Sequence, residues 1–556
     1  MLTLAGVVTA LLLVIVWLVA GLFSSRVLGL MVVAPVGILC AALLMFLVAR
    51  YGNRFRPGHD LNALGLATRA EARAQSGEDL SRKKALYQRP SMTPEQVQAA
   101  PVSDLALSLG RSPHGVAMYA PMEDQVAVIG KTGAGKGAYY VAPSVISAPG
   151  PVVLTTTRAD VIDVITSPRS RKGKIWVFDP LNVATWYEPM YWNPVAGAMH
   201  DTVARSRGRA FVAAVKTGTG GGNTDFFKQS AAGALQYLIH AAALEGLTMR
   251  EVAQWGMRLD DGAETPRNII RNSDHSHAEK LWADMLRALS TGADDTVAST
   301  RMTLRSALDP LSSGNVLKSL VPSPGCAEFN VHEFVDSQDT LVLISDSNSL
   351  TNVSPLTTML LQEVIDVAKQ VAASKPRNLL DPPLRIVGDE IANVAPLENL
   401  PEVVTDSRGY GIQWVNFFQS RTQPEAIWGK ERAATFFNQS SFEILLPGIK
   451  DQATLDYYSA SMGVIDVAES SVSLNPDYGL TSRNLTQQER RVMRPEEIRK
   501  LGGSGTALLF PSLGEPMMLQ LTPWWETPDG KEWKEHAAKI AALRAAYGHK
   551  LTHEAA

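Results

Sequence analysis

Two long stretches without a charged residue open the chain. Met1 to Ser25 carries none, and Val27 to Ala49 is again uncharged and mostly aliphatic. Each meets the roughly 20 residues needed to cross the hydrocarbon core of a bilayer. A cleaved signal peptide would need a basic start and a shorter apolar run, and a second such run would not follow at once. Only Ser24, Ser25 and Arg26 connect them, which predicts a tight transmembrane hairpin over 1–50; Pro35 is tolerable in a membrane helix. Arg50, Arg54 and Arg56 follow the second span against one Arg in the turn, so the positive-inside bias places everything after residue 50 in the cytoplasm.

From 51 to 118 the pattern is polar, helix-tolerant and of mixed charge, and it reads as a cytosolic connector. Between 119 and 196 short β-rich runs (Gln125 to Ile129, Val152 to Thr156, Ile175 to Phe178) alternate with helical or turn segments, which argues for a parallel α/β sheet. Strands vanish between 197 and 328. There Phe226 to Leu244, His277 to Leu289 and Thr296 to Leu308 keep helical spacing, predicting an all-α insertion, with Gly218 to Gly222 as a linker near its entry. Strands resume over 329–525 at Leu341 to Ser345, Leu384 to Val387, Ile412 to Phe417 and Phe442 to Leu446, with Ala507 to Pro511 and Met517 to Leu521 as a closing pair. The tail, 526–556, predicts one amphipathic helix.

Composition changes this picture little. With 556 residues, 46% hydrophobic, 19% charged and a net charge of −3, the chain is long enough for several domains and too apolar for a disordered protein. It has no global basic signature for nucleic acid. Its two cysteines, Cys40 in an apolar run and Cys326 in a Pro/Gly-rich stretch, support neither a disulfide framework nor a zinc site.

The chemistry is concentrated in two places. After the strand ending at Ile129 comes Gly130-Lys131-Thr132-Gly133-Ala134-Gly135-Lys136-Gly137, then a helix. Glycines there let backbone N–H groups turn toward a β-phosphate, the helix N-terminus adds positive potential, and Lys136 reaches the β/γ oxygens of ATP. The usual loop ends in Ser or Thr, whose hydroxyl binds Mg²⁺, whereas Gly137 stands here. Magnesium must then be held through Asp389, water and the phosphates, or hydrolysis is impaired. The strand Leu384 to Gly388 ends in Asp389-Glu390, where parallel sheets bind ligands. Asp389 is the candidate for the Mg²⁺ shell and Glu390 for activating the attacking water. Gln419, at the end of the next strand, is placed to sense the γ-phosphate. Arg408, in Ser407-Arg408-Gly409 before that strand, is a candidate to point into a neighbour's site.

With those motifs in place, the chain resembles the type IV secretion coupling proteins of the TraG/TraD type. The resemblance spans the membrane hairpin, Gly130 to Gly137 leading into Tyr140-Val141-Ala142-Pro143-Ser144, and Val152 to Asp160. It continues through Val177-Phe178-Asp179-Pro180 with Trp192-Asn193-Pro194, Gly388-Asp389-Glu390-Ile391-Ala392-Asn393, Ser407-Arg408-Gly409 to Gln419-Ser420, and Met493-Arg494-Pro495-Glu496-Glu497-Ile498. It implies a RecA-like P-loop ATPase domain with an inserted all-α domain, assembled as a homo-hexamer around a channel in the bacterial inner membrane. Its partners would be type IV secretion channel components and a relaxase–DNA complex or protein effectors. Lys136, Asp389, Glu390, Gln419 and Arg408 match the family's ATPase residues. Two features depart from it: the segment between the spans is very short, and Thr156-Thr157-Arg158 replaces an aspartate-proline-lysine turn. Two other readings stay open. One is an FtsK-like DNA translocase, which would usually end in a basic winged-helix module. The other is a receptor or assembly platform that binds nucleotide without robust turnover, as Gly137 would suit.

Overall fold

The computed structural model describes residues 65–215, 223–274, 280–292, 295–346, 351–474, 481–501 and 505–555. The expected membrane hairpin and the Gly218 to Gly222 linker lie outside them. Among the described residues no helix is long and apolar enough to cross a membrane. Residues from Ala67 onward form one compact unit.

In chain order the strands are β1 (Ala106–Arg111), β2 (Ala117–Pro121), β3 (Val126–Ile129), β4 (Val152–Thr156), β5 (Ile175–Phe178), β6 (Met190–Tyr191), β7 (Ala327–Glu328) and β8 (Thr340–Ile344). There follow β9 (Leu384–Gly388), β10 (Ile412–Phe418), β11 (Phe442–Leu445), β12 (Val464–Leu474), β13 (Thr481–Arg491), β14 (Thr506–Pro511) and β15 (Met517–Gln520). Eleven of them make one sheet in the order β2-β1-β15-β14-β11-β3-β10-β9-β4-β8-β5. From β11 to β5 every pairing is parallel, and from β11 outward to β2 every pairing is antiparallel. This is a mixed α/β fold built on a large parallel sheet.

The central strands are buried along their whole length, as a sheet covered on both faces requires. Val126, Val128, Val387, Val415 and Phe417 share one core with Tyr140, Val145, Ile162 and Ile165 from the helices after β3 and β4. Phe418 faces the other way, its ring 5.3 Å from Phe436 and 5.7 Å from Phe437 of the helix Lys430–Gln439. Arg385, buried in the sheet, donates to Gln413 Oε1 (2.7 Å) and to the carbonyl of Ser144 (2.8 Å).

Strand formers in the connector region reach further than its polarity suggests, because β1 and β2 join the sheet through β15 and extend its antiparallel wing. Between β6 and β7 the described residues are helical, with Asn223–Leu244 as the central helix against Met249–Met257, Glu264–Asn272, Lys280–Thr291 and Asp295–Leu308. Its entry helix, Asp201–Ala213, is fastened to Ser354–Ala373 by Arg207–Glu363 (2.7 Å) and Ser206–Asp366 (2.6 Å). The C-terminal helix Gly530–Ala555 packs on Asp160–Ser170; Arg544 bonds Asp163 Oδ1 (2.7 Å) and the carbonyls of Ala184 (2.6 Å) and Ala159 (3.1 Å).

Candidate active site

Strand order decides what meets at the C-terminal edge of the sheet. Ile129 of β3 is level with Phe418 of β10, Asn416 of β10 with Gly388 of β9, and Gly388 with Thr155 of β4. The segments leaving these strands, beginning at Gly130, Gln419, Asp389 and Thr157, therefore emerge side by side. The phosphate loop and the acid pair flank β10, two strand spacings or about 10 Å apart.

The loop is anchored where it starts, the Gly130 amide donating to the carbonyl of Phe418 (2.9 Å). Gly133 (φ 81°) and Gly135 (φ 89°) adopt left-handed conformations that other residues resist. A Cβ on Gly135 would also fall 2.5 Å from the Tyr139 ring. The helix then opens with a single π turn, Gly137–Val141, in which Ala142 N–H bonds Gly137 O. Pro143 accounts for it: the ring has no N–H to give the Tyr139 carbonyl and would clash with it, so the helix widens there. Lys136 Nζ donates to Gly130 O (2.8 Å). Burial pulls its ammonium below its ordinary range, opposed by the charges of Asp389 and Glu390. Lys131 lies along Gly448, where a Cβ would come 2.8 Å from its Cε, while Lys131, Thr132 and Gly137 are exposed.

Opposite, Gly388 must be glycine, since a Cβ would sit 2.5 Å from Asn416 Oδ1. Thr155 Oγ1 donates to the Asp389 carbonyl (2.9 Å) and Thr157 Oγ1 to the Glu390 carboxylate (2.9 Å). Glu390 itself is left-handed, with φ 52°. The Asp389 carboxyl is pushed up to about 6, chiefly by burial and then by the Glu390 charge, against Lys136, the Thr156 hydroxyl and Arg158. The folded chain thus holds the proton more tightly than the unfolded one, so this group's contribution to stability is present below its ordinary value near 3.8 and is lost as pH rises through about 6. A cation that ties down the ionised form relieves that cost. Mg²⁺-supported nucleotide binding is therefore expected to weaken as pH falls through about 6, and Asp389→Asn to remove that limb; calorimetric titration across roughly pH 5 to 8 measures both.

Gln419 is exposed at the end of β10, its backbone N–H donating to Gln423 Oε1 (2.8 Å) in a turn next to Gly130. Arg408 is not brought to the loop. It precedes β10 and so lies at the opposite edge of the sheet, about 20 Å along the strand, where it pairs with Glu123 (3.1 Å) and Asp124 (3.6 Å). The residues at the site that the sequence did not single out as site candidates are Thr155, Thr156, Thr157 and Arg158. Arg158 is exposed, held bidentately by Asp160 (3.0 and 2.6 Å), and lies within the field of both acids. A polar turn after a buried strand was the available signal, but its adjacency to β9 is not written locally.

The residues fit a magnesium nucleotide. The loop offers amides and a half-buried ammonium, and Asp389 is a carboxylate whose ionised form lacks a full countercharge. Mg²⁺ commonly takes one or two carboxylates with phosphates and water, so it needs no closed cage. Among the described residues no group of three or more His, Cys, Asp or Glu forms such a cage.

The model of the family described as type IV secretory system conjugative DNA transfer matches residues 73–550. The chain belongs to that family. Protein VirD4 of Rhizobium rhizogenes is 21% identical over 422 residues, covering 73% of this chain and 57% of that protein. VirD4 of Agrobacterium fabrum is likewise 21% identical, with 58% of its length covered. The chain thus spans a little over half the length of these curated relatives. Among solved structures, the conjugative coupling protein TrwBdeltaN70 superposes with a TM-score of 0.53 at 17% identity, covering 74% of this chain and 88% of that one. TrwB in complex with ADP and Mg²⁺ gives 0.52 at 16% identity, covering 74% and 89%. At that identity the likeness is one of fold. Within this family of conjugative DNA-transfer proteins, the edge where β3, β10, β9 and β4 end carries the convergent chemistry of the chain.

Proposed function

We propose that this coupling-family chain is an inner-membrane ATPase that recruits relaxase–DNA complexes or protein effectors and drives them to a type IV secretion channel. One observation carries the reading: the phosphate loop and the acid pair leave β3 and β9 at the same sheet edge, flanking β10. Family membership and the nucleotide complexes of TrwB support it. In this reading the amides of Gly133 to Gly137 and the Lys136 ammonium hold the triphosphate. Mg²⁺, when bound, supplies neutralisation of phosphate charge, and Asp389 is the group to hold its shell. Glu390 accepts a proton from the attacking water and Gln419 orients it. Because Arg408 stands at the far edge, its role needs a second subunit, as a homo-hexameric ring would supply. Met1 to Ser25 and Val27 to Ala49 are the proposed bilayer anchor.

Gly137 favours the second reading, a nucleotide-binding platform with little turnover. Turnover separates the two. The purified full-length chain is expected to hydrolyse ATP in a Mg²⁺-dependent way; binding without hydrolysis, with DNA present or absent, overturns the motor. A Cβ at Gly137 meets nothing within 4 Å. Gly137→Ser is therefore expected to fold normally, gaining up to about 1 kcal/mol from the lost glycine entropy. Its added hydroxyl should also lower the Mg²⁺ concentration needed for half-maximal turnover, read from a magnesium titration.

A further inference from the structure

We propose that Thr157 is a positioning residue that holds the Glu390 carboxylate on the β4 side of the site, away from the phosphate loop, so that turnover waits on its release. The inference rests on the assignment of Glu390 to water activation. Strand order supplies the geometry. β9 stands between β10 and β4, and the phosphate loop follows β3, on the far side of β10. Thr157 is the first residue beyond β4, and its hydroxyl donates to Glu390 Oε2 at 2.9 Å. The carboxylate that would face a γ-phosphate is thus bonded one strand away in the opposite direction.

The backbone agrees. Glu390 is held at φ 52°, ψ 35°, a conformation that a residue with a Cβ adopts at a cost, two residues past the end of the fully buried β9. Thr155 Oγ1 fixes the preceding carbonyl of Asp389 (2.9 Å), so the backbone at the start of this turn is pinned and the Glu390 side chain is the part left to swing. Arg158 cannot replace Thr157 as the restraint, because its guanidinium is spent on Asp160. A hydroxyl donated to a carboxylate is among the stronger single hydrogen bonds, enough to bias a two-position side chain by about ten-fold.

The test is steady-state ATP hydrolysis by the purified full-length chain without cargo, comparing wild type with Thr157→Val, Thr157→Ala and Thr157→Ser. Valine keeps the shape and removes the donor; serine keeps the donor. Thr157→Val is expected to raise kcat on the order of ten-fold with KM within about two-fold, and Thr157→Ser to match wild type. Thr157→Ala gives the same sign should the valine variant melt below wild type. A kcat unchanged or lowered by both donor-removing variants, in a chain whose turnover is lost on Glu390→Gln, overturns the restraint and leaves the ATPase reading standing. If wild type and all variants bind ATP and none hydrolyses it, the assignment of Glu390 fails and the inference falls with it.

Discussion

Glu390→Gln is expected to lower kcat by roughly 10²–10⁴-fold, the usual size of a positioned general base. Glutamine matches the shape and can still accept from the Thr157 hydroxyl, which bonds Glu390 at 2.9 Å, so the turn should keep its conformation. It cannot take a proton. Nucleotide affinity, set by the amides of Gly133 to Gly137 and by Lys136, should stay near wild type. Lys136→Ala is the contrasting variant: it removes an ammonium that stands beside the loop, 2.8 Å from Gly130 O, and should weaken binding itself. Fluorescent-nucleotide titration together with phosphate release separates the two losses. Equal turnover in Glu390→Gln and wild type would remove Glu390 from the chemistry.

Arg169→Met should destabilise the fold by about 3 kcal/mol or more, by the cost of buried carbonyls left without a donor. Arg169 has no solvent exposure, yet among the described residues it makes no ion pair. Its guanidinium donates to Thr340 Oγ1 (2.8 Å) and to the carbonyls of Ala148 (2.7 Å), Gly150 (3.0 Å) and Gln338 (2.6 Å). It thereby staples the helix Asp160–Ser170 to the N-terminal ends of β4 and β8. The Lys172 ammonium also reaches Ala148 O (2.9 Å), so Gly150, Gln338 and Thr340 bear most of the loss. Methionine fills similar volume, which isolates the missing donors from cavity formation. Arg171→Met is the control two residues on. Its pair with Glu532 is exposed, and such pairs are worth at most about 1 kcal/mol. Urea unfolding of both variants against wild type gives the comparison.

Much of the site was legible because its parts are contiguous. A phosphate cradle is made by neighbouring amides, so Gly130 to Gly137 between a buried strand and a helix describes itself. The acid pair is equally local, being two residues after Leu384 to Gly388. The nine strands expected from hydrophobic runs, β3 to β5, β8 to β11, β14 and β15, are all present, whereas β12 and β13 were not expected. β1 and β2 escaped notice because they are short and their buried positions are interrupted by exposed or partly buried ones, so neither stands out as a continuous buried run. The C-terminal helix was expected from its pattern, but nothing local said that it would cover Asp160–Ser170 through Arg544.

What the sequence determined by itself was therefore a set of motifs and the sheet edge each must occupy. A residue after a parallel strand and one before it lie at opposite ends, which separates Gln419 from Arg408 without any coordinates. Only the tertiary structure decided which strands are neighbours. Thr157 meets Glu390 across 233 positions because β4 lies beside β9, and the phosphate loop faces the acids because β10 alone stands between β3 and β9. Hydrophobic runs state that a strand is buried on both faces. They carry no label for the strand beside it, since near-continuous Val, Leu and Ile runs pair equally well in any order, and that choice is made by the crossover helices and the packing of the whole sheet.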